Sequence, residues 1–500
     1  MCSGRPTGSK WKSIIFMVLS FAPVLNVHSS VVQTKAGLVR GESQTIMDRE
    51  ITTFLGIPYA IPPVGSLRFL KPKPHRLWQG TYNATSEKPS CMQPRLPLVF
   101  VIPTNLSEDC LYLNVWTPNA SKKARLPVLL WFYGGTFKIG SAYETRYNPS
   151  ALVALNDVVV VSPNFRSGMF GFLDADNKGA PGNVALWDQL LVMHWVQANV
   201  AAFGGDPKLV TVFGESSGAM GIHLHMMSPH SVGLFRRAFL MSGTESSDVN
   251  VDSVFESIGT SNKVAWHLGC ADAFQDLTTH PDKVLSCLRE QIAEDITSAT
   301  ENVTMPKVLA FLPTFNTKYV PYLPSIATKK ERVRRVDTML SVVANEGAFS
   351  FIMQPDRALL DDDLTSYPAD EFTVAVEKHL RNLVKEKHVP LALSYLNNAT
   401  SSDKYAYRQR AADFFGLTNF VCPARFFAEN HSKKGAAVYG MIFGHRSEKS
   451  MYPEWVKVTH MEEIPYFFGV PFLDFGNYTD EDRNLSAYTM NVLVSFARNG

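Results

Sequence analysis

The stretch "VTVFGESSGAMGI", Val210 to Ile222, holds residue types that could do chemistry. A short apolar run ends in Gly214-Glu215-Ser216-Ser217-Gly218, and a helix-like segment follows, so Ser216 sits at a strand-to-helix turn. Glycine two positions to either side suits such a turn, because bulkier residues would meet the adjacent strand and helix. A serine hydroxyl is a weak nucleophile at neutral pH. It needs a base to take its proton, an acid to orient that base, and donors for the oxyanion that develops. For a serine held this way, an Asp or Glu and then a His are expected later in the chain, on loops after further strands. Glu346 directly follows "MLSVVAN", and His460 lies in "VTHMEEIPYFFG", beyond "AAVYGMIF". Upstream, "LLWFYGGTF" ends a strand in Gly134 and Gly135, a backbone able to point N–H groups at an oxyanion.

Other residues nearby compete for these roles. The chain has 13 histidines, most of them structural or exposed by expectation. His223 and His225 lie on the helix leaving the turn and should point away from Ser216. Glu462 and Glu463 resemble a carboxylate pair, but adjacent positions face different directions, which favours structural roles. Glu215 is read either as a buried ion-pair partner or as a residue that tunes the site.

The elements that must position these groups follow from apolar patterning. Leu126 to Tyr133, Val158 to Val161, Val210 to Phe213, Ala238 to Met241, Met339 to Val343 and Ala436 to Phe443 are continuous apolar runs. Runs apolar on both faces fit strands of a mostly parallel sheet covered by helices. Between them, Asn183 to Ala202 repeats apolar residues at three and four, the period of a helix. Such alternation predicts one open α/β sheet. At 500 residues the length would allow about three domains. No Pro/Ser/Gly-rich linker divides the chain, so a single domain is expected. Hydrophobic content of 45% and charged content of 19% are those of a globular protein with a sizeable core. A net charge of +2 gives no argument for nucleic acid or an anionic membrane as partner.

Residues 1–30 read as a secretory signal peptide. Arg5, Lys10 and Lys12 precede the short apolar run "SIIFMVLSFAPVL", and Ser29 and Ser30 follow it. No later segment has the apolar length of a membrane span. Asn-x-Ser/Thr acceptor sites occur at Asn83, Asn105, Asn119, Asn302, Asn398, Asn430, Asn477 and Asn484, which favours a glycosylated surface in a secreted chain. Beyond Cys2, the cysteines fall as two close pairs and one odd residue. The local disulfides Cys91–Cys110 and Cys270–Cys287 are expected in oxidising surroundings. Neither Cys-x-x-Cys nor His-Glu-x-x-His spacing is present, so a metal site has no support in the sequence.

Seven segments in order carry a specific resemblance: "FLGIPYAIPPVGSLRF", "SEDCLYLNVWTP", "WFYGGTF", "APGNVALWDQ", "FGGDPKLVTVFGESSG", "NEGAF" and "HMEEIPYFFG". Through nearly the whole mature chain the sequence resembles the type-B carboxylesterase/cholinesterase family of α/β-hydrolases. The resemblance implies a large, mostly parallel sheet flanked by helices, in one catalytic domain over residues 31–500. It implies Ser216 as nucleophile, Glu346 as acid and His460 as base, with the N–H groups of Gly135, Thr136 and Ser217 as oxyanion donors. The reaction implied is hydrolysis of a small-molecule carboxylic ester through an acyl-enzyme, with no cofactor. Neuroligin-like adhesion proteins share the fold but usually lack one or more of the triad residues, and here all three are present. Choline esterase is the alternative within the enzyme class.

Three departures from the family pattern matter. Thr136 interrupts the glycine run, and a β-branched residue resists positive φ. Phe100 stands where cholinesterases carry a Trp, in a shorter loop, so little preference for choline is expected; Leu309 and Phe311 align with the acyl pocket. Family members continue past "VSFARNG", so the domain is read as truncated, with Cys422 pairing beyond residue 500 and therefore a free thiol in this chain.

Overall fold

The computed structural model describes residues 29–94, 105–304, 310–353, 356–365, 367–384, 386–397 and 403–500. Each apolar run forms a strand of one eleven-stranded sheet. In chain order its strands are β1 (Ser29–Gln33), β2 (Leu38–Ile46), β3 (Arg49–Pro58), β4 (Thr81–Asn83), β5 (Tyr112–Thr117) and β6 (Leu126–Phe132). They continue as β7 (Val159–Pro163), β8 (Gly205–Glu215), β9 (Arg237–Met241), β10 (Asp337–Val343) and β11 (Val438–Phe443). The spatial order is β1-β2-β3-β5-β7-β6-β8-β9-β10-β11, with β4 beside β2.

From β7 to β11 every neighbour is parallel, and each of β6 to β9 is buried along nearly its whole length. The half containing β1, β2, β3, β5 and β7 pairs antiparallel along its main path, which the apolar runs did not announce. β2 alternates exposed and buried positions at its start, as a strand with one wet face does. β11 lies at the end of the described sheet with Tyr439 and Ile442 exposed, so among the described residues its apolar run is not covered on both faces.

The predicted helix over 183–202 is observed as α1, Val184–Asn199, continued by a 3-10 turn, Val200–Phe203. It is apolar nearly all round and packs into the main core. A second apolar cluster gathers Phe351, Leu380, Leu396 and Phe414 from the helices between β10 and β11. α1 is tied to the sheet by a buried ion pair. Arg166, in the segment after β7, sends Nε and Nη2 to Asp188 at 2.8 and 2.7 Å, and its backbone N–H to the same carboxylate at 3.1 Å. Removing one partner of such a pair leaves an uncompensated charge. Asp188→Ala is therefore expected to cost about 3–5 kcal/mol, read as a lowered thermal unfolding midpoint. A variant that melts with the wild type would contradict this.

Disulfides join Cys91 to Cys110 and Cys270 to Cys287, and Cys422 is exposed and unpaired among the described residues. Of the glycan acceptors, Asn83, Asn105, Asn119, Asn302, Asn477 and Asn484 are exposed. Asn430 is half-buried, with Nδ2 donating to the Phe426 carbonyl, and Asn398 lies outside the described residues. Residues 1–28 of the expected signal segment and Phe100 and Leu309 also lie outside them. Ser29 and Ser30 begin β1, opposite Glu42 and Gly41 of β2. Among the described residues no helix is long and apolar enough to cross a membrane.

Candidate active site

The parallel register brings the C-terminal ends of five strands together. Gly214 stands opposite Phe132, Glu215 opposite Met241, Met241 opposite Ser341, and Val343 opposite Phe443. In an open α/β sheet the crevice beyond these ends is where ligands bind. The segments that leave them carry Gly134 to Thr136 after β6, Ser216 after β8, Glu346 after β10, and the loop to His460 after β11.

Ser216 occupies a tight turn between β8 and helix α2 (Ser217–Met227), at φ 55° and ψ −126°. Few residues with a side chain adopt this backbone, and such strain persists only where surrounding structure enforces it. The enforcement is visible. The Ser216 N–H donates to the Met241 carbonyl at 2.9 Å, and Met220 N–H donates to the Ser216 carbonyl at 2.9 Å. A Cβ on Gly214 would stand 2.6 Å from the Phe132 carbonyl oxygen, and one on Gly218 only 2.1 Å from the same atom. Only glycine lets the turn lie this close to β6.

Thr136 takes φ 56° and Phe137 φ 62°, after Gly135 at 124°. The threonine thus adopts the conformation its branching resists, a cost of about 1–3 kcal/mol, while its hydroxyl donates to the Gly135 carbonyl at 2.7 Å. Phe137 N–H donates to Ser217 Oγ at 3.1 Å. Among the described residues the N–H groups of Gly135 and Thr136 reach no acceptor, and Ser217 opens α2, where an N–H has no intrahelical partner.

His460 is fully enclosed. Nδ1 lies 2.7 Å from Glu346 Oε2, and the other Glu346 oxygen accepts the Val343 N–H at 2.9 Å. With Glu346 as acceptor, Nδ1 carries the ring proton, which leaves Nε2 as the nitrogen available to act as a base. The rings of Phe420 and Phe349 pack on the imidazole at 4.4 and 4.9 Å. Both phenylalanines line a cleft together with Thr136, Ser216, Ser217 and Met220. Of the three residues singled out in the sequence, Ser216 lines this cleft, while His460, bonded to Glu346, lies behind the Phe349 and Phe420 rings that line it. Ser216 and His460 are not hydrogen-bonded to each other: Nε2 lies instead 3.0 Å from Glu215 Oε1. Catalytic hydrogen bonds of this kind often tighten only when substrate binds.

Sequence reasoning set Glu462 and Glu463 aside as structural, and the two differ in the structure. Glu462 accepts the Thr459 N–H and the Ser450 hydroxyl. Glu463 accepts the Ser242 hydroxyl at 3.0 Å, and burial, with Glu215 and Glu346 nearby, pushes its carboxyl up to about 8. Its place beside the histidine comes from folding, and its position next to Glu462 gave no sign of it. His223 and His225 are committed elsewhere. His223 Nδ1 accepts the Glu245 N–H, and His225 bonds Gln189 and Tyr319. Phe311 is buried in the main core and is not among the residues around the cleft.

Two carboxylates on one imidazole set its titration. Burial alone would lower the pKa of His460, but the charges of Glu215 and Glu346 outweigh it and hold it well above the ordinary imidazole value. Burial raises the Glu215 carboxyl in turn, against the opposing pull of His460. An Nε2–carboxylate contact needs a proton between the two, so these groups titrate as a unit. If His460 is the base, it must lose that proton before it can accept one from serine, and activity is then expected to fall as pH drops through the titration. Glu215→Gln removes a charge that favours imidazolium, so the acid limb of kcat/KM should move to lower pH. Profiles from about pH 5 to about pH 9 read this directly. An unmoved or raised limb would contradict it.

Residues 28–500 match the model of the carboxylesterase family. The chain belongs to the carboxylesterase family. It is 33% identical to an acetylcholinesterase of Bungarus fasciatus over 504 residues, covering 98% of this chain and 82% of the relative. Identity to an acetylcholinesterase of Leptinotarsa decemlineata is 33% over 498 residues, covering 94% and 78%. Identity to a cholinesterase of Mus musculus is 32% over 501 residues, covering 97% and 81%. The sheet described above is that of an α/β-hydrolase, and membership of the family makes the chain a carboxylic-ester hydrolase.

Proposed function

We propose that this carboxylesterase works through an acyl-enzyme on Ser216, with His460 as base and Glu346 as the acid that orients it. The observation that carries the reading is His460, fixed by Glu346 through Nδ1 and packed against Phe349 and Phe420, two residues that line the cleft Ser216 enters. Nε2 takes the proton as Ser216 Oγ attacks the ester carbonyl. The N–H groups of Gly135, Thr136 and Ser217 stabilise the tetrahedral oxyanion, the alcohol leaves with the proton from His460, and water repeats the sequence on the acyl-enzyme. Chemistry of this kind draws on no cofactor.

The substrate is proposed to be a general carboxylic ester with little preference for choline. A quaternary ammonium is held by cation–π contact and desolvation, with Trp the best partner, worth about 0.5–2 kcal/mol or about 2- to 30-fold. Among the described residues the aromatic side chains lining the cleft are Phe137, Phe349, Phe415 and Phe420, with no Trp. The names of the relatives favour a choline esterase as the second reading. Acetylcholine compared with its uncharged carbon isostere separates the two. Similar kcat/KM values support the general esterase, and a choline advantage above about 100-fold, about 2.7 kcal/mol, supports the second reading.

Secretion and glycosylation belong to the same proposal. The two disulfides fit an oxidising compartment, and six of the acceptor asparagines are exposed.

A further inference from the structure

Two buried amides interrupt the apolar lining of the cleft. Its walls are largely Met220, Phe349, Met353, Leu383, Phe415 and Phe420, and Asn250 and Asn419 stand among them beside Ser216. Asn250 is 5% exposed and Asn419 3%. The backbone N–H of Asn250 is tied to Glu245 Oε1 at 3.4 Å, but its side-chain Nδ2 is buried and has no hydrogen-bond partner among the described residues. Asn419 lies on the π-helical segment Leu417–Val421, between the helices Lys404–Gly416 and Cys422–Lys433. Its Nδ2 is used up by the Phe415 carbonyl at 3.0 Å and the Thr418 hydroxyl at 3.2 Å, which leaves Oδ1 without a donor among the described residues. A π turn redirects side chains relative to a regular helix. Here it sends Phe420 onto His460 and Asn419 to the cleft in consecutive positions.

A buried amide costs free energy unless it is hydrogen-bonded, and replacing it with an apolar residue of similar shape would remove that cost. A cleft whose only task was to hold an alkyl chain would do better with leucine at both positions. A site built to bond a substrate oxygen rejects the analogue that lacks it, because the site's own polar groups are then left unpaired.

We propose that the preferred ester carries a second oxygen function, a hydroxyl, ether or carbonyl, on the portion lodged in this cleft, and that Asn250 and Asn419 select for it. An ether or carbonyl oxygen accepts from the Asn250 amide. A hydroxyl can in addition donate to Asn419 Oδ1. The inference deepens the esterase reading and rests on Ser216 as the nucleophile at this cleft.

The test uses isosteric pairs in which oxygen replaces one methylene: methoxyacetate against butyrate esters of one alcohol, and 2-methoxyethyl against butyl esters of acetate. Each kcat/KM is divided by the rate of hydroxide hydrolysis, to remove intrinsic reactivity. The wild type is expected to favour the oxygen member of one pair by about 3- to 10-fold, the range of a single neutral hydrogen bond. The responding pair identifies which side of the ester occupies the cleft. Asn250→Leu should abolish that preference; if that variant folds poorly, Asn419→Leu is read with the hydroxyl pair, 3-hydroxypropanoate against butyrate esters, where the O–H can donate to Asn419 Oδ1 and its preference should fall. No preference in either pair, or a preference that survives both substitutions, overturns the proposal. Ser216→Ala run on the same substrates separates the two levels. If that variant keeps its turnover, the nucleophile assignment fails; if turnover is lost but the ratios ignore the asparagines, only the selectivity inference fails.

Discussion

Ser216→Ala is expected to lower kcat by at least about 10⁴-fold while leaving the fold intact. The alanine variant keeps the oxyanion donors and the cleft but has no atom to form the acyl-enzyme. Residual hydrolysis should then reflect binding and oxyanion stabilisation alone, about 10³–10⁴ above the uncatalysed rate. The backbone offers no objection to the substitution. The strained turn is fixed by the backbone bonds of Ser216 to Met241 and Met220 and by the closeness of Gly214 and Gly218 to β6, none of which involves the hydroxyl. Turnover with purified variant, together with an unchanged circular dichroism spectrum, measures it. An alanine variant within about tenfold of wild type would remove Ser216 from the chemistry.

Glu346→Gln should cost about 10⁴-fold in kcat at neutral pH, the loss known when an amide replaces the acid of such a triad. Both oxygens of Glu346 accept, one from His460 Nδ1 and the other from Val343 N–H. A glutamine can keep only one of those bonds as acceptor. If its NH₂ faces the ring, Nδ1 must give up its proton and Nε2 must carry it, which is the wrong tautomer for a base. If its carbonyl faces the ring, the NH₂ meets the Val343 N–H, donor against donor. Either way the imidazolium formed during attack loses the charge beside it. Single-turnover acylation rates isolate this step from product release. A small loss confined to KM would show that Glu346 only shapes the cleft.

The central strands were legible in the sequence because a parallel strand buried on both faces must be apolar throughout. Val158 to Val161 is such a run, and Val210 to Phe213, broken only by Thr211, is close to one. The turn at Ser216 was legible because the neighbouring strand tolerates no Cβ at Gly214 or Gly218. The antiparallel half was not, because strands with one wet face mix polar and apolar residues, as Leu38–Ile46 does. The apolar run of β11 marked a strand correctly, but the exposure of Tyr439 and Ile442 at the end of the described sheet follows from topology and was not readable from it. The partners of His460 divide in the same way. Glu346 follows a strand at the place the chain order demands. Glu463 and Glu215 acquire their influence only when three separate loops meet in a space without water to screen them. Asn250 and Asn419 are ordinary residues in sequence. They become conspicuous only against the apolar walls that folding builds around them.

Covalent labelling tests the mechanism most directly. An organophosphate ester reacts with a serine only where a base activates it and an oxyanion site receives the phosphoryl oxygen, so a single adduct reports all three parts together. The purified protein is treated to complete loss of esterase activity, weighed intact and digested for peptide mapping. The expected result is one phosphoryl group per chain, carried by Ser216 in the peptide that contains "GESSG", with no adduct in Ser216→Ala or in His460→Ala. Inactivation with the label on another residue, or equal labelling of the His460→Ala variant, would contradict it.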